Sequence, residues 1–157
     1  MGVYTRMLRP HPMKDKLLSE CVLFDIQRAS RVVASLYNAH LRGAGITVAQ
    51  WSLLRNISFT EPVGVGRLAD ALAMERTSVT RLVEPLIELG YVRSSVGEDR
   101  RVRNLELTVR GAARVRAGTK RWRAAQHELM ATLGSGNWRA MRNSLRSTIR
   151  LVRQRNA

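Results

Sequence analysis

The segment from residue 66 to residue 108 restricts the possible folds of this chain more than any other, because it joins two helical patterns to a two-stranded one. Leu68, Ala69 and Leu72 place apolar side chains on one side of a short helix, and this pattern breaks at Met74. A second helical pattern begins at Thr77. The apolar residues expected to face inward from it are Val79, Leu82, Val83, Leu86 and Ile87. Two helices separated by a short break predict a helix-turn-helix.

The outward face of the second predicted helix is polar and basic, which favours contact with double-stranded DNA. Hydroxyl groups near a helix N-terminus cap the helix or donate to a phosphate, since the backbone N–H groups there already favour an anion. Arg81 lies one turn further along and is long enough to read a guanine edge with two hydrogen bonds. The alternative for Thr77 and Ser78 is that they only cap the helix. The predicted contacts on this helix are Thr77, Ser78, Thr80 and Arg81.

The segment after Gly90, a plausible helix stop, predicts a β-hairpin. β-branched and apolar residues are interleaved with polar ones over 91–96 and 102–108, and Gly97 with a charged run connects the two stretches. A basic hairpin beside a DNA-reading helix is a wing, and its arginines can enter the minor groove. The alternative is a solvated, charged turn. The arginines at and beside this tip are Arg100, Arg101 and Arg103.

These motifs resemble the MarR family of transcriptional regulators. The resemblance rests on Leu68-Ala69-Asp70, the run from Thr77 to Val83, Gly90-Tyr91-Val92, Asp99-Arg100-Arg101 and Leu107-Thr108-Val109-Arg110-Gly111. Upstream, Gly45 to Leu54 is similar to the family's entry to its second helix. Roughly residues 15 to 155 are covered, and the Asp-Arg-Arg wing is the most specific piece.

The resemblance implies a homodimer that binds a palindromic operator as a repressor, with half-sites about 10 bp apart. It makes Asp99 the brace of the wing, Arg101 the residue in the minor groove and Arg100 a phosphate contact. It also implies a small phenolic or carboxylate ligand between the dimerisation helices and the DNA-binding lobe. Activation in place of repression stays open.

The implied fold class is mainly α with a small β-hairpin wing (α+β), a winged helix-turn-helix with long N- and C-terminal dimerisation helices. We expect a flexible arm over residues 1–14 and a single domain over 15–157. Within it, the winged-helix lobe covers about 47–110, and the dimerisation helices cover about 15–42 and 111–155. Helices are expected over 16–41, from a Thr47 cap to a break at Thr60-Glu61-Pro62, over 108–133, and over 137–154.

One departure from the family pattern is Pro85, inside the predicted recognition helix. Proline cannot donate to the carbonyl of Arg81 and its ring crowds that carbonyl, which costs about 3 kcal/mol in an ordinary helix interior. We therefore expect a kink there that leaves the first turns free to read bases.

The last predicted helix carries an apolar stripe beside an arginine stripe. The apolar stripe, which requires a partner helix, is Trp138, Met141, Leu145, Ile149 and Val152. The arginine stripe follows one residue later at the same spacing: Arg139, Arg142, Arg146, Arg150 and Arg153. The arginine stripe is either a solvated face that steers association over long range or a docking face for an acidic partner or anionic ligand.

Composition agrees with a polyanionic partner, because Lys and Arg number 27 against 12 Asp and Glu and the net charge is +15. No apolar run approaches the roughly 20 residues that span a bilayer, so we expect no membrane partner. One cysteine excludes an internal disulfide and fits a cytoplasmic protein of a bacterial or archaeal cell. No cofactor or metal is expected, and no catalytic motif is visible, so an enzyme is not expected.

The expected ligand pocket is lined by Phe24, Arg28, His40, Trp51 and Trp122. Each has a plainer alternative: Phe24 and Trp51 as core, His40 as a satisfied helix residue, and Arg28 as a partner of Asp25 or Glu20.

Cys21 is a second candidate sensor, since some members of the family oxidise a cysteine near the start of the first helix to sulfenic acid. Cys21 lies about two residues before that position, and no Lys or His is close in sequence to stabilise a thiolate. A small buried core cysteine is the favoured alternative. A redox-sensing regulator of the same fold and a charge-driven, non-specific nucleic-acid binder remain alternative functions.

Overall fold

The structure, a computed structural model, describes residues 20–97 and 103–155. Within these residues seven elements are helical, including one 3₁₀ turn, and three are strands, which supports the mainly α fold class. In chain order they are α1 (Val22–Leu41), a 3₁₀ turn (Arg42–Ala44), α2 (Val48–Thr60), β1 (Val63–Gly64), α3 (Val65–Leu72), α4 (Arg76–Glu88), β2 (Val92–Val96), β3 (Arg103–Leu107), α5 (Val109–Leu133) and α6 (Ser135–Arg155).

The chain divides into two compact units, Met1–Val33 and Ala34–Ala157. In the described part of the first unit, α1 begins at Val22, and the backbone N–H of Asp25 donates to the carbonyl of Cys21 at 3.2 Å. The predicted helix start at Lys16 lies outside the described residues, but Glu20 and Cys21 precede the helix, so the prediction was wrong at those two positions.

In the second unit, helix α2 begins where its cap was predicted. The hydroxyl of Thr47 accepts from the backbone N–H of Gln50 at 3.2 Å, and the Gln50 side chain accepts from the N–H of Thr47 at 2.9 Å. This reciprocal capping box satisfies two N–H groups that the helix itself leaves free. Asn38 Oδ1 accepts a third, from the N–H of Val48, at 2.7 Å.

Helices α3 and α4 form the predicted helix-turn-helix. Ala73, between them, adopts a left-handed conformation with φ of 55°. Helix α4 is continuous through Pro85 and ends in a Schellman motif: the N–H of Gly90 donates to Ile87 and that of Tyr91 to Leu86, both at 2.8 Å. Gly90, with φ of 68°, fits this left-handed position because it lacks a Cβ. The bend expected at Pro85 stays a prediction.

A three-stranded antiparallel sheet follows the helix-turn-helix, in the order β1-β3-β2. The predicted hairpin pairs Val92 with Leu107 and Val96 with Arg103, so its register is settled on both sides of the tip. The third strand, β1, was not predicted. Val63 pairs with Leu105 and adds a short edge to the wing.

The core of the second unit lies where α1, α2, α3, α4 and the wing supply apolar side chains. Its most deeply buried members are Leu41, Leu54, Ile57, Leu68, Val79, Leu86, Val92 and Leu105. Leu82 was predicted to face inward but is 43% exposed, which corrects that prediction. Residues 79, 83 and 86 share the centre of the buried arc, and Leu82 falls at its edge.

The last two helices match the predicted pattern closely. Thr108 caps α5 by accepting from the N–H of Gly111 at 3.0 Å, and Gly134 ends it. Helix α6 begins at Ser135, two residues before the predicted start, because Gly134 alone makes the break with φ of 75°. None of the residues described in α6 is buried within the single chain.

Candidate nucleic-acid interface

The outward face of α4 presents the predicted polar residues. Thr77 and Arg81 are exposed, and Ser78 and Thr80 are half-buried. The hydroxyl of Thr80 donates to the carbonyl of Arg76 at 3.0 Å, which leaves its oxygen lone pairs free to accept. The N-cap is Glu75, and no side chain caps the helix. The alternative that Thr77 and Ser78 serve as caps is therefore wrong.

The base of the wing is held by two charged side chains. Arg93 and Glu106 lie opposite each other in the register, with Nη2 and Nε of Arg93 at 2.5 and 3.1 Å from the same carboxylate oxygen. The hydrogen bond to Glu106 and the charge of its carboxylate raise the pKa of Arg93 above its ordinary value. Glu61 Oε2 accepts from the N–H of Leu107 at 2.7 Å and attaches the end of α2 to β3.

Four residues were predicted to contact DNA from the wing. Arg103 is the first residue of β3, and its Nε donates to the hydroxyl of Ser94 at 3.1 Å. Asp99, Arg100 and Arg101 lie outside the described residues. The structure therefore brings Arg103 beside the helix-turn-helix, and the roles expected of the other three stay predictions.

An open cavity of about 510 Å³ joins the helix-turn-helix to the wing. Thr80 and Arg103, both predicted contacts, line it. Arg67 and Arg76 line it as well and were missed by the sequence analysis. The sequence pattern places Arg76 in the break between the two helices. Its position directly before the predicted contacts is the signal that identifies it as a further candidate for contact with DNA.

The proposed ligand-pocket residues divide between the two units. In the first unit, the guanidinium of Arg28 lies 5.5 Å from the ring centroid of Phe24, which is half-buried and not core. In the second unit, Trp51 and Trp122 stack with centroids 5.1 Å apart. Trp51 is buried, as its core alternative predicted, and its Nε1 has no hydrogen-bond partner in the described part of the chain.

Two side-chain hydrogen bonds join α1 to α5. His40 Nε2 lies 2.7 Å from Glu128 Oε2, which confirms the alternative of a satisfied helix residue. Tyr37, which the sequence analysis did not single out, donates to Gln126 Oε1 at 2.6 Å, and its ring lies 6.4 Å from that of Trp122. Burial raises the pKa of the Tyr37 hydroxyl.

Cys21 is free and half-buried, directly before α1. Full burial was expected of a core cysteine and is not observed. Among residues 20–97 and 103–155, no group of three or more His, Cys, Asp or Glu side chains could hold a metal ion. No helix in the same part of the chain is long and apolar enough to cross a membrane.

Comparison with known proteins gives consistent matches. A sequence model of the MarR family matches residues 44–102. The HTH-type transcriptional regulator YwoH of Bacillus subtilis (strain 168) is 30% identical over 87 residues, which are 55% of this chain and 64% of that protein. The match thus spans less than two thirds of that relative's length.

Solved structures match over most of the chain. The M. tuberculosis transcriptional regulator MosR, in complex with DNA, is 31% identical, with a TM-score of 0.78 over 86% of this chain and 98% of that one. A mutant MarR from E. coli, complexed with operator DNA, has a TM-score of 0.76 over 85% and 99% of the two chains, and its 22% identity shows likeness of fold. Because the family model matches and the chain is 31% identical to MosR over 98% of the MosR chain, it belongs to the MarR family and has its winged helix-turn-helix fold.

Proposed function

We propose that this protein is a sequence-specific, double-stranded DNA-binding transcriptional regulator, acting as a homodimeric repressor of a palindromic operator. The observation that carries the proposal is the polar outward face of α4 next to Arg103 of β3, on one side of the helix-turn-helix. In this proposal Thr77 and Ser78 donate to phosphates and Arg81 reads a base edge. Thr80, whose hydroxyl donates to the carbonyl of Arg76, lies beside them as an acceptor for a base donor. The complex of MosR with DNA, at 31% identity, supports the same partner.

A second protomer is proposed because α6 leaves apolar side chains in water. Leu145, Ile149 and Val152 are between 42% and 54% exposed, and they share one face of the helix. A contiguous apolar face of this kind marks an interaction surface. The proposed single domain, residues 15–157, would pair through the helices at about 15–42 and 111–155 and place two copies of α4 on half-sites about 10 bp apart. Its place of action is the chromosome, in the cytoplasm.

The test begins with selection of genomic fragments bound by the full-length protein. The palindrome that they share is placed in a labelled duplex, and Kd is measured for it and for a scrambled duplex over a range of salt. A specific regulator keeps a preference of at least about 10³ for the palindrome. A charge-driven binder loses affinity for both duplexes together as salt rises, and that result, or a monomer in sedimentation at micromolar concentration, contradicts the proposal.

Arg81→Ala tests base readout within the same assay. We expect palindrome binding to weaken by about 1–3 kcal/mol and the preference over scrambled DNA to fall. Arg123→Ala is the matched control, because Arg123 is an exposed arginine on α5 and its loss removes the same charge. Unchanged preference in Arg81→Ala removes that residue from base readout.

An effector is the second part of the proposal: a small aromatic or carboxylate molecule that relieves repression. The stacked rings of Trp51 and Trp122, with His40 on a neighbouring helix, support an aromatic ligand that packs beside Trp122. Trp122 is half-buried, so part of its ring is accessible. Titration of candidate compounds against tryptophan fluorescence in wild type and Trp122→Phe, with operator release as the second readout, tests it. Quenching without operator release contradicts an effector role.

A further inference from the structure

The cavity beside the helix-turn-helix collects arginines from three separate elements. Arg67 comes from the first turn of α3, Arg76 is the first residue of α4, and Arg103 begins β3. Each guanidinium carries five N–H donors in a planar fork, the geometry that matches phosphate oxygens. Three such groups around about 510 Å³ of open space concentrate positive potential in a cleft, where an anion is attracted.

Protein acceptors use little of this donor capacity. Arg67 Nη2 reaches the carbonyl of Pro62 only at 3.5 Å, and Arg103 Nε donates to Ser94 Oγ at 3.1 Å. The guanidinium of Arg76 has no hydrogen bond or ion pair to any residue within 20–97 and 103–155. Most of the N–H groups around the cavity are therefore available to an anion.

The charge balance of the cavity is positive even though one acid lines it. Asp70 is the acidic residue, and its carboxylate forms no ion pair with the arginines in the described part of the chain. A fourth arginine reaches the same rim, because Nη2 of Arg153 donates to the backbone carbonyl of Asp70 at 2.8 Å. No side chain caps the start of α3, so its first backbone N–H groups add to the positive field.

We infer that this cavity is a phosphate-binding pocket, held by Arg67, Arg76 and Arg103, and that its occupant is a backbone phosphate of the DNA that α4 reads. The inference rests on the proposed function, because Arg76 and Thr80 belong both to the pocket and to α4. A phosphate bound there fixes the position of α4 along the duplex without reading sequence. Free phosphate has the same chemistry, and the experiment separates the two sources.

A substitution at Gly66 can displace the guanidinium of Arg76 sterically without removing any charge. A Cβ added at Gly66 would lie 3.2 Å from both Nε and Nη2 of Arg76, so the guanidinium must shift. The position is inside α3 and has an ordinary helical conformation, so Gly66→Ala introduces no backbone strain. Gly136→Ala is the matched control, because a Cβ there meets nothing of its own chain within 4 Å, and sedimentation checks that its assembly equals that of wild type.

The experiment measures Kd of the full-length wild type, Arg76→Ala, Gly66→Ala and Gly136→Ala for the selected palindrome and a scrambled duplex, at 50 and 200 mM salt. Loss of one phosphate contact reduces the salt slope by about one, so Arg76→Ala should lose about 3.5-fold less affinity than wild type across this fourfold change. We expect Arg76→Ala to weaken both duplexes by the same factor, Gly66→Ala to do so to a smaller extent, and Gly136→Ala to match wild type.

Three results overturn the assignment. If Arg76→Ala lowers the preference for the palindrome, Arg76 reads bases and the pocket does not hold a backbone phosphate. If Arg76→Ala and Gly66→Ala bind like wild type while wild type prefers the palindrome, the pocket assignment fails and the proposed function stands. If calorimetry of the DNA-free protein detects saturable binding of inorganic phosphate that Arg76→Ala abolishes, while the DNA affinity and its salt slope stay at the wild-type values, the occupant is a free anion. A wild type without preference for the palindrome refutes the proposed function itself.

Discussion

Gly111→Ala is a direct test of how the wing is joined to the long helix α5. A Cβ at this position would lie 2.9 Å from the carbonyl carbon of Tyr91 and 3.2 Å from its Cα, with the carbonyl oxygen closer still. Unstrained carbon–carbon contacts lie at about 3.5–4.0 Å, so the backbone at Tyr91 must retreat by at least roughly 0.6 Å. That backbone has little freedom, because Tyr91 is buried and its carbonyl accepts from the N–H of Thr108 at 3.0 Å.

The expected change in the free energy of unfolding is the sum of three contributions. Overpacking a close contact costs about 1–3 kcal/mol, and a weakened hydrogen bond costs about 1 kcal/mol. The higher helix propensity of Ala relative to Gly stabilises the folded state by about 1 kcal/mol. We therefore expect Gly111→Ala to lower the free energy of unfolding by about 1–3 kcal/mol, with Tm falling by roughly 2–4 °C for each kcal/mol in a chain of this size.

Urea unfolding followed by tryptophan fluorescence measures this effect, at one fixed protomer concentration because assembly adds to stability. Gly136→Ala is the control: it adds the same methyl group to a helix but meets no atom within 4 Å, so it should be neutral or slightly stabilising. A urea midpoint for Gly111→Ala equal to or above that of Gly136→Ala would refute the packing argument.

Two further predictions concern the second unit. Thr47→Ala removes the hydroxyl that accepts from the N–H of Gln50 and should lower the free energy of unfolding by about 1 kcal/mol in urea titrations; an unchanged midpoint would mean that water replaces this hydroxyl at no cost. Because burial raises the pKa of Tyr37, the folded state keeps that proton after the unfolded chain begins to release it near pH 10. The stability that this group contributes is therefore complete below pH 10 and is lost as the pH rises above it. We expect the free energy of unfolding to change less between pH 8 and pH 10.5 in Tyr37→Phe than in wild type. An equal change in the two proteins would contradict the assignment.

Local chemistry made much of the fold predictable. Thr47 and Thr108 cap helices where a hydroxyl precedes an apolar pattern, and Gly90 ends α4 where a residue without Cβ is required. Each of these signals depends on residues within a few positions of one another, so a single sequence contains all of the information. The hairpin was predictable for the same reason, from alternation on both sides of a short charged connection.

The missed features depend on distant partners. Strand β1 is two residues long, too short for a pattern, and exists because Val63 pairs with Leu105 across the intervening helix-turn-helix. Arg67 and Arg76 meet in one cavity only after α3 and α4 have packed. The exposure of Leu82 likewise depends on how much of the circumference of α4 the neighbouring elements cover. Helical periodicity shows which side faces the core but does not specify how wide the covered part is.

The hydroxyl of Thr108 caps α5 and also donates to the carbonyl of Gly90 at 2.7 Å, at the end of the recognition helix. One side chain thus joins the C-terminal end of α4 to the N-terminal end of α5. A displacement of either helix end relative to the other would therefore stretch the hydrogen bonds of the same hydroxyl.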